Sequence, residues 1–443
     1  MKKLGLGVLT LVIAAGIYYF SAGSEKLATA MKTQVDAEFA SLKTQGFSIA
    51  NEETSKKEEH FEISFDDSKK IADYITSKGA SLSEDDAKAL TGLKIGIDVR
   101  YLADAYSSVS FDMYPMTLPT SLTQSTKSPK DIKLLEQIKT MMENKVFLTH
   151  IDVNKLGTGF KGYVKDIDET LEAEETLNLV MKAFTFKGSI EDEKLTRMSQ
   201  ALKSISFSVA NEMLVTFADI SSEYALSGPS TYDYTSSYMV DSIKAKIDNE
   251  FDFTLKGLKV DSDSAVEKAL AKVSLNTHIE AMSFKDKAQD TALNSLNLKM
   301  DFDNLSVASM KKLETLDPEN EAELQAVVKE LLSQGLTFNL SDFSIETLKI
   351  QDKDIKGFKL NAAMALDKNL DFTAIEKNPM LAMAAIDADL KLSLSDDLFA
   401  LAAQQPQAVM VMMMIQPEAV NGQKVYKVEL KDGKVSVNGK PMM

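Results

Sequence analysis

Residues 93–101 read LKIGIDVRY, with apolar side chains at every second position and polar residues or glycine between them. Successive side chains of a β-strand point to opposite faces of a sheet, so this period of two predicts a strand with one apolar face. The same alternation returns at 296–302, 358–366 and 386–394. Strands of a parallel sheet covered on both faces read as continuous apolar runs instead. The alternation therefore predicts antiparallel sheet.

The C-terminal part of the chain predicts a β-hairpin. Apolar residues alternate over 426–430 and again over 435–437, on either side of Asp432-Gly433. Asp-Gly is a favoured two-residue hairpin turn, because both of its residues must adopt positive φ. Asn438-Gly439 is predicted to close the second strand.

Helices are predicted between the strands, each directing an apolar stripe toward the sheet. Ser128 is a capping residue followed by Pro129 at the first helical position, and the apolar stripe of this helix runs from Ile132 to Met142. A second helix is predicted to open at Asp317-Pro318 and to end at Gly335.

The N-terminal segment indicates a membrane anchor. Leu4 to Phe20 is uncharged and close to the shortest length that crosses a bilayer as a helix. Lys2 and Lys3 favour a cytoplasmic N-terminus, which places the rest of the chain outside the cytoplasm. A cleaved signal peptide is the alternative, with Ser21-Ala22-Gly23 as its weakly matching cleavage site.

An amphipathic helix is predicted directly after the anchor. Ser24 can cap it, apolar residues recur every four positions from Leu27 to Phe39, and it ends near Gly46. We predict an anchor at 1–23, a stalk helix at 24–46 and one folded α+β domain at 47–443. The predicted fold is an N-terminal transmembrane helix followed by an elongated, curved, mainly antiparallel β-sheet, with helices covering its apolar face.

Composition excludes several classes of function. Of the 443 residues, 50 are Lys or Arg and 66 are Asp or Glu, so the formal charge is −16 and nucleic acid is not an expected partner. The chain contains 0 Cys, which excludes disulfides, thiolate metal ligands and the acylated cysteine of a lipoprotein.

The titratable residues form no recognisable catalytic or metal-binding pattern in the sequence. His60, His150 and His278 have no partner at ligand spacing, and we expect surface or strand-edge side chains. The acidic pairs Asp85-Asp86 and Asp396-Asp397 are better explained as the first turns of helices than as a hydrolytic pair. We predict no catalytic residue, no metal site and no cofactor.

A hydrophobic-ligand surface is the one candidate site. Methionine is abundant, with 22 residues in the chain, and it is adaptable enough to line a groove for acyl chains, although it can equally fill an irregular core. We expect the apolar strand rows and the methionine run to form one surface, with these candidate residues: Met300, Phe302, Leu390, Leu392, Met410, Met412, Met413 and Met414.

The layout of the whole chain resembles the YdgA-like family of bacterial envelope proteins. The closing text VYKVELKDGKVSVNGKPM is the most specific element of this resemblance, and the matching residues are Gly433, Val435, Val437, Asn438, Gly439 and Met442. The resemblance implies a single-pass inner-membrane protein with a periplasmic C-terminal domain and no established catalytic activity. A looser similarity to AsmA-like envelope proteins suggests lipid handling.

Two functions remain open on the sequence. The first is a non-enzymatic, membrane-anchored periplasmic protein that binds or passes lipid, or another hydrophobic ligand, along an apolar sheet face. The second is a structural or interaction protein that recruits another envelope protein and has no ligand of its own. Under either function, the protein is expected to contact the inner membrane through Leu4 to Phe20. The further expected partner is a lipid or an envelope protein.

Overall fold

The structure is a computed structural model, and its chain divides into two compact units, unit 1 (Met1–Glu223) and unit 2 (Tyr224–Met443). The predicted folded part, 47–443, is divided between these units. Each unit is mainly antiparallel β-sheet with some helices, which confirms the interpretation of the one-sided strands. The structure describes residues 27–55, 57–77, 82–101, 105–125, 128–172, 175–191, 194–210, 212–248, 250–316, 320–350, 353–368, 375, 378, 380–405, 412 and 415–442.

Among its described residues, unit 1 contains five helices, the first nine strands and the part of the tenth strand up to Glu223. The helices are α1 (Leu27–Thr44), α2 (Ser68–Ser77), α3 (Glu84–Ala89), α4 (Thr120–Ser125) and α5 (Pro129–Glu143). The strands are β1 (Phe47–Ser55), β2 (Glu58–Phe65), β3 (Lys94–Tyr101), β4 (Ser107–Thr117), β5 (Thr149–Asn154), β6 (Gly159–Val164), β7 (Ile167–Glu172), β8 (Thr176–Glu191), β9 (Lys194–Val209) and β10 (Met213–Leu226).

Strands of unit 1 pair antiparallel in chain order from β1 to β6. The long strand β8 then pairs with β6 along one part of its length and with β7 along another, and β9 lies on its other side. The apolar residues of LKIGIDVRY are all buried in the core of this unit, as their alternation predicts.

Helix α1 belongs to that core. Its residues Val35 and Leu42 are buried, and the ring of Phe39 lies 4.1 Å from the ring of Phe61 on β2. The predicted amphipathic helix is therefore present over Leu27–Thr44, but it packs on the sheet and is not a freestanding stalk. Its apolar stripe provides the hydrophobic contact that holds it there.

Helix α5 begins as predicted and buries only part of its predicted apolar stripe. The Ser128 hydroxyl accepts a hydrogen bond from the Asp131 amide at 3.1 Å, and Pro129 occupies the first turn. Met141 and Met142 are buried, whereas Ile132 is 46% exposed. The contact with the sheet lies at the C-terminal end of the helix, so the predicted apolar stripe is buried over only part of its length.

Unit 2 contains the remaining elements. Its described helices are α6 (Val307–Thr315), α7 (Glu321–Leu332), α8 (Met380–Ala384) and α9 (Asp396–Ala402). Its strands are β11 (Tyr234–Ile247), β12 (Phe251–Glu267), β13 (Leu270–Asp286), β14 (Asp290–Ser306), β15 (Thr337–Ile350), β16 (Lys353–Leu366), β17 (Ile386–Ser395), β18 (Glu418–Val420), β19 (Gln423–Lys431), β20 (Lys434–Val437) and β21 (Lys440–Pro441).

Strands of unit 2 pair antiparallel from β11 to β17 in chain order. Strand β19 then pairs with β17, β18 and β20. The predicted hairpin is confirmed: Asp432 and Gly433 have φ of 51° and 71° and join β19 to β20. Asn438 and Gly439 also have positive φ, 49° and 71°, and turn the chain into β21.

Other predicted helix starts have mixed outcomes. Helix α7 is capped by Asn320, whose side chain accepts from the Glu323 amide, and Gly335 follows its end with φ +75°. Asp317-Pro318 lies outside the described residues. The acidic pairs Asp85-Asp86 and Asp396-Asp397 lie in the first turns of α3 and α9, as predicted.

The predicted anchor, Leu4 to Phe20, also lies outside the described residues. Among the described residues, no helix combines the length and the hydropathy that crossing a bilayer requires. The anchor therefore stays a prediction, as do the elongation and curvature of the sheet.

Candidate hydrophobic-ligand surface

The register of the strands places the candidate residues of the hydrophobic-ligand surface side by side on adjacent strands of unit 2. Met300 on β14 is opposite Leu340, which is opposite Ala362, which in turn is opposite Leu390 on β17. Met300 and Leu390, far apart in sequence, thus lie in one row that runs straight across four strands. The row continues to Val428 on β19.

Three further apolar rows lie beside this one. The β14 residues Phe302, Leu298 and Leu296 each begin a row that crosses β15, β16 and β17 through apolar side chains. Leu392 belongs to the Leu298 row, opposite Leu360. We call the four rows through Leu296, Leu298, Met300 and Phe302 the apolar face.

A β-bulge in β15 keeps the rows aligned. Leu298 is opposite Phe343 and Met300 is opposite Leu340, so β15 uses one residue more than β14 between these two pairs. The same extra residue appears against β16, where Phe343 is opposite Leu360 and Leu340 is opposite Ala362. A bulge of this kind returns the side chains to the same face of the sheet, so Leu340 and Phe343 both remain on the apolar face.

Aromatic pairs pack within the apolar face. The rings of Phe302 and Phe338 have centroids 5.1 Å apart, and those of Phe343 and Phe358 lie 5.2 Å apart at 81°. Edge-to-face contacts of this kind stabilise rings in defined orientations. The face therefore combines oriented rings with flexible Leu and Met side chains.

The apolar face is open to solvent in part. Leu390 is 38% exposed, and Met300, Phe302 and Leu392 are half-buried. Both clusters of buried hydrophobic side chains that the described residues form lie in unit 1. Helices α6 and α7 contact β14, and α8 and α9 contact β17, yet the described helices leave the rows half-exposed. The expected helical cover of the apolar face is therefore incomplete.

The methionine run is only partly described. Met410, Met413 and Met414 lie outside the described residues, and Met412 is half-buried. The prediction that this run extends the apolar face stays a prediction.

Sequence comparison assigns the chain to a family. Residues 121–443 match the family described as "Bacterial protein of unknown function (DUF945)". The chain belongs to this family. The match includes every strand of the apolar face. No curated protein and no solved structure matches the chain.

Unit 1 of this DUF945 family member contains a polar row that the sequence did not reveal. His60, Asp98, Asp112 and His150 lie opposite one another in turn across β2, β3, β4 and β5. His60 Nδ1 lies 2.7 Å from Asp98 Oδ1, and Lys145 Nζ lies 2.8 Å from Asp98 Oδ2. Of these residues, only His150 and Lys145 fall within the family match.

The structure corrects the expectation that the three histidines are surface or strand-edge side chains. His60, His150 and His278 are half-buried on strands that have a neighbour on each side. Their partners come from adjacent strands, and strand register cannot be read from residue spacing within one strand. The alternation did indicate that Asp98 shares a polar face with its i±2 neighbours, but not which histidine it meets.

Two side chains of the polar row, Asp98 and His150, have shifted pKa values. Hydrogen bonding to Asp112 raises the pKa of His150 although burial opposes it, and the Asp152 carboxylate adds to the effect. Burial alone would raise the pKa of Asp98, but hydrogen bonds from Lys145 and His60 hold it below its usual value. Among the described residues, no group of His and carboxylate side chains has a geometry that could hold a metal ion. The row is best explained as a structural ionic network.

Proposed function

We propose that this protein is a non-enzymatic, membrane-anchored periplasmic protein that binds lipid, or another hydrophobic ligand, on the apolar face of unit 2. The observation that carries the proposal is that most side chains of four adjacent apolar rows are only half-buried and that Leu390 is 38% exposed, although Leu340 in the same row is buried. Exposed apolar patches larger than a few hundred Å² are uncommon on soluble proteins and mark binding sites.

The dimensions of the apolar face suit acyl chains. Its four rows cross β14 to β17, and three of them continue to apolar residues of β19, whereas the Leu296 row meets Lys424 there. The apolar face therefore measures roughly 19 Å by 20 Å at its widest, at ordinary strand spacing and rise. One leaflet of a bilayer core is about 15 Å thick, which sets the length of a lipid acyl chain. An extended chain therefore fits on the apolar face along either direction.

Envelope location is supported by two observations. Leu4 to Phe20 has the composition of a single membrane span with the following chain exported. The YdgA-like resemblance agrees with the DUF945 match, and it implies an inner-membrane anchor with a periplasmic C-terminal part. Tethering at the membrane would place a lipid-binding face close to its ligand.

The alternative is a structural protein that recruits another envelope protein and has an apolar face wholly inside its fold. The 38% exposure of Leu390 favours the binding function over this alternative. In a closed core, a side chain at this central row would be expected to lose nearly all of its contact with water.

Lipid extraction from the detergent-purified full chain, followed by mass spectrometry, tests the proposal. We expect co-purifying lipid, and saturable binding of a fluorescent fatty acid. Leu390→Asp should weaken binding of that probe by about tenfold or more, because an apolar ligand would desolvate the new carboxylate. Asn276→Asp is the matched control: it adds the same charge on the exposed polar face of β13 and should bind the probe normally.

Two outcomes would count against the proposal. Absence of lipid together with absence of probe binding would remove its basis. A large fall in melting temperature for Leu390→Asp, with no lipid in the unmodified protein, would indicate a closed core and support the structural alternative.

A further inference from the structure

A second candidate site lies on the same strands of unit 2. A shallow groove of about 410 Å³ crosses β15, β16, β17 and β19. Three successive residues of each strand line it, namely 339–341, 361–363, 389–391 and 427–429.

Alternation of side chains shows which face the groove occupies. The middle residues, such as Leu340 and Leu390, belong to the Met300 row of the apolar face. On β16, β17 and β19, where no bulge interrupts the pairing, their neighbours at i±1 point to the opposite face. The groove therefore lies on the polar face, with the backbone of the middle residues as its floor and the flanking side chains as its two walls.

Register sorts the charges of the groove by sign. Asp389 on β17 is directly opposite Glu429 on β19, and Lys391 is directly opposite Lys427. All four side chains are exposed. One wall is therefore acidic and the other basic, with Asn339 completing the acidic side and Asn361 the basic side.

At two positions of the groove, like charges face each other across β17 and β19. Like charges directly opposite one another in an antiparallel pair are destabilising, whereas opposite charges would attract. Within the described part of the chain, neither Asp389 nor Lys391 has an ion-pair partner. Lys427 Nζ lies 3.6 Å from Glu418 Oε2, and the Ser436 hydroxyl is 3.5 Å from Glu429 Oε2. The two walls therefore do not neutralise each other by direct ion pairs.

We propose that the groove binds a small zwitterion, with its ammonium group between Asp389 and Glu429 and its phosphate or carboxylate between Lys391 and Lys427. Residues two apart on a strand are separated by roughly 6.7 Å, and flexible Lys and Glu side chains shorten that span. An ammonium and an anion joined by a two-carbon linker, as in phosphoethanolamine, match this separation. The site is on the face opposite the proposed lipid surface and does not depend on it.

Calorimetric titration of the full chain in detergent with phosphoethanolamine tests the proposal, with ethanolamine and inorganic phosphate as half-ligands. We expect phosphoethanolamine to bind and each half-ligand to bind at least tenfold more weakly. Asp389→Asn and Lys391→Gln should each weaken binding about tenfold. Lys299→Gln, which neutralises an exposed lysine on the polar side of β14 outside the groove, should not.

The same variants give a second readout that a structural role would not produce. Each neutralisation in the groove removes a like-charge repulsion, so Asp389→Asn and Lys391→Gln should raise the melting temperature while they reduce binding. Lost binding accompanied by a lower melting temperature would instead indicate charges that stabilise the fold, and would overturn the proposal.

Competition with soluble dihexanoyl phosphatidylethanolamine identifies the source of the zwitterion. If the short-chain lipid binds more tightly than phosphoethanolamine, the natural ligand is a lipid headgroup. If the lipid binds more weakly, the natural ligand is a free compound. Either result supports the zwitterion site. Phosphate alone binding as tightly as phosphoethanolamine, or no saturable binding at millimolar concentration, would refute it. Because Leu390→Asp tests the other face, failure of one proposal leaves the other standing.

Discussion

His150 Nδ1 lies 2.6 Å from Oδ1 of Asp112, the residue directly opposite it on β4. Its other ring nitrogen, Nε2, lies 3.2 Å from Oδ1 of Asp152. Both nitrogens can donate to carboxylates only in the imidazolium form, so this geometry favours the charged side chain and raises its pKa.

His150 should therefore make the stability of unit 1 depend on pH. Because its folded-state pKa lies above the unfolded value, its contribution is complete below about pH 6.5 and disappears as the pH rises through the folded-state pKa. We expect His150→Gln to lower the free energy of unfolding by about 2 kcal/mol at pH 5.5, and by less at pH 9. Urea denaturation across this range measures the difference.

His278→Gln is the control for the pH dependence of His150. His278 Nδ1 lies 2.8 Å from Asn297 Oδ1, an uncharged acceptor, so His278→Gln removes a half-buried strand imidazole without removing a partner of a carboxylate. A His150→Gln effect that does not change with pH would mean that the imidazole is not charged in the folded protein.

Glu59 should be important for the attachment of α1. Its buried carboxylate accepts a hydrogen bond from the Tyr101 hydroxyl at 2.6 Å and lies 2.9 Å from Lys32 Nζ on α1. Burial, together with the hydrogen bond to Glu59, raises the pKa of Tyr101, so its hydroxyl remains a donor at all physiological pH values. We expect Glu59→Ala to destabilise unit 1 by about 3 kcal/mol and Tyr101→Phe by about 1 kcal/mol.

A double-mutant cycle on Glu59 and Tyr101, followed by urea denaturation, measures how far the two side chains act together. Their effects should be non-additive, because the Tyr101 hydroxyl has lost its acceptor once Glu59 is removed. Additive effects would show that the hydrogen bond contributes little to stability.

Gly162 should tolerate no side chain. A Cβ atom there would lie 2.3 Å from the His150 carbonyl oxygen and 2.5 Å from Cζ of Phe186, whose ring packs over this glycine from β8. We expect Gly162→Ala to cost about 3 kcal/mol, measured by thermal and urea unfolding. Gly439→Ala, at φ +71° in open space, should cost only about 1 kcal/mol from backbone strain. Equal costs would contradict the steric explanation.

The predicted anchor can be tested independently of the folded units. We expect Leu4 to Phe20 to remain in the mature protein and to hold it in the inner membrane, with the C-terminus accessible to protease from the periplasmic side. Fractionation with N-terminal sequencing checks this. A soluble periplasmic form beginning near Ser24 would identify the segment as a cleaved signal peptide.

Local patterns predicted the elements of this fold well, since they depend on a few neighbouring residues. The alternation in LKIGIDVRY identified a strand and its buried side, Asp432-Gly433 identified a hairpin turn, and Ser128-Pro129 identified a helix start. The buried length of the α5 stripe was not predictable, because Ile132 would be buried only if a partner element lay beside that end of the helix.

Outside β-bulges such as the one in β15, the sequence by itself determined which side chains share a face within a strand, because the period of two is a property of the extended backbone. Only the tertiary structure decided which strands lie side by side and in what register. That choice placed Met300 and Leu390 in one row, paired His150 with Asp112, and set Asp389 opposite Glu429. Register depends on turns, bulges and packing summed over the whole sheet, so no single stretch of residues contains it.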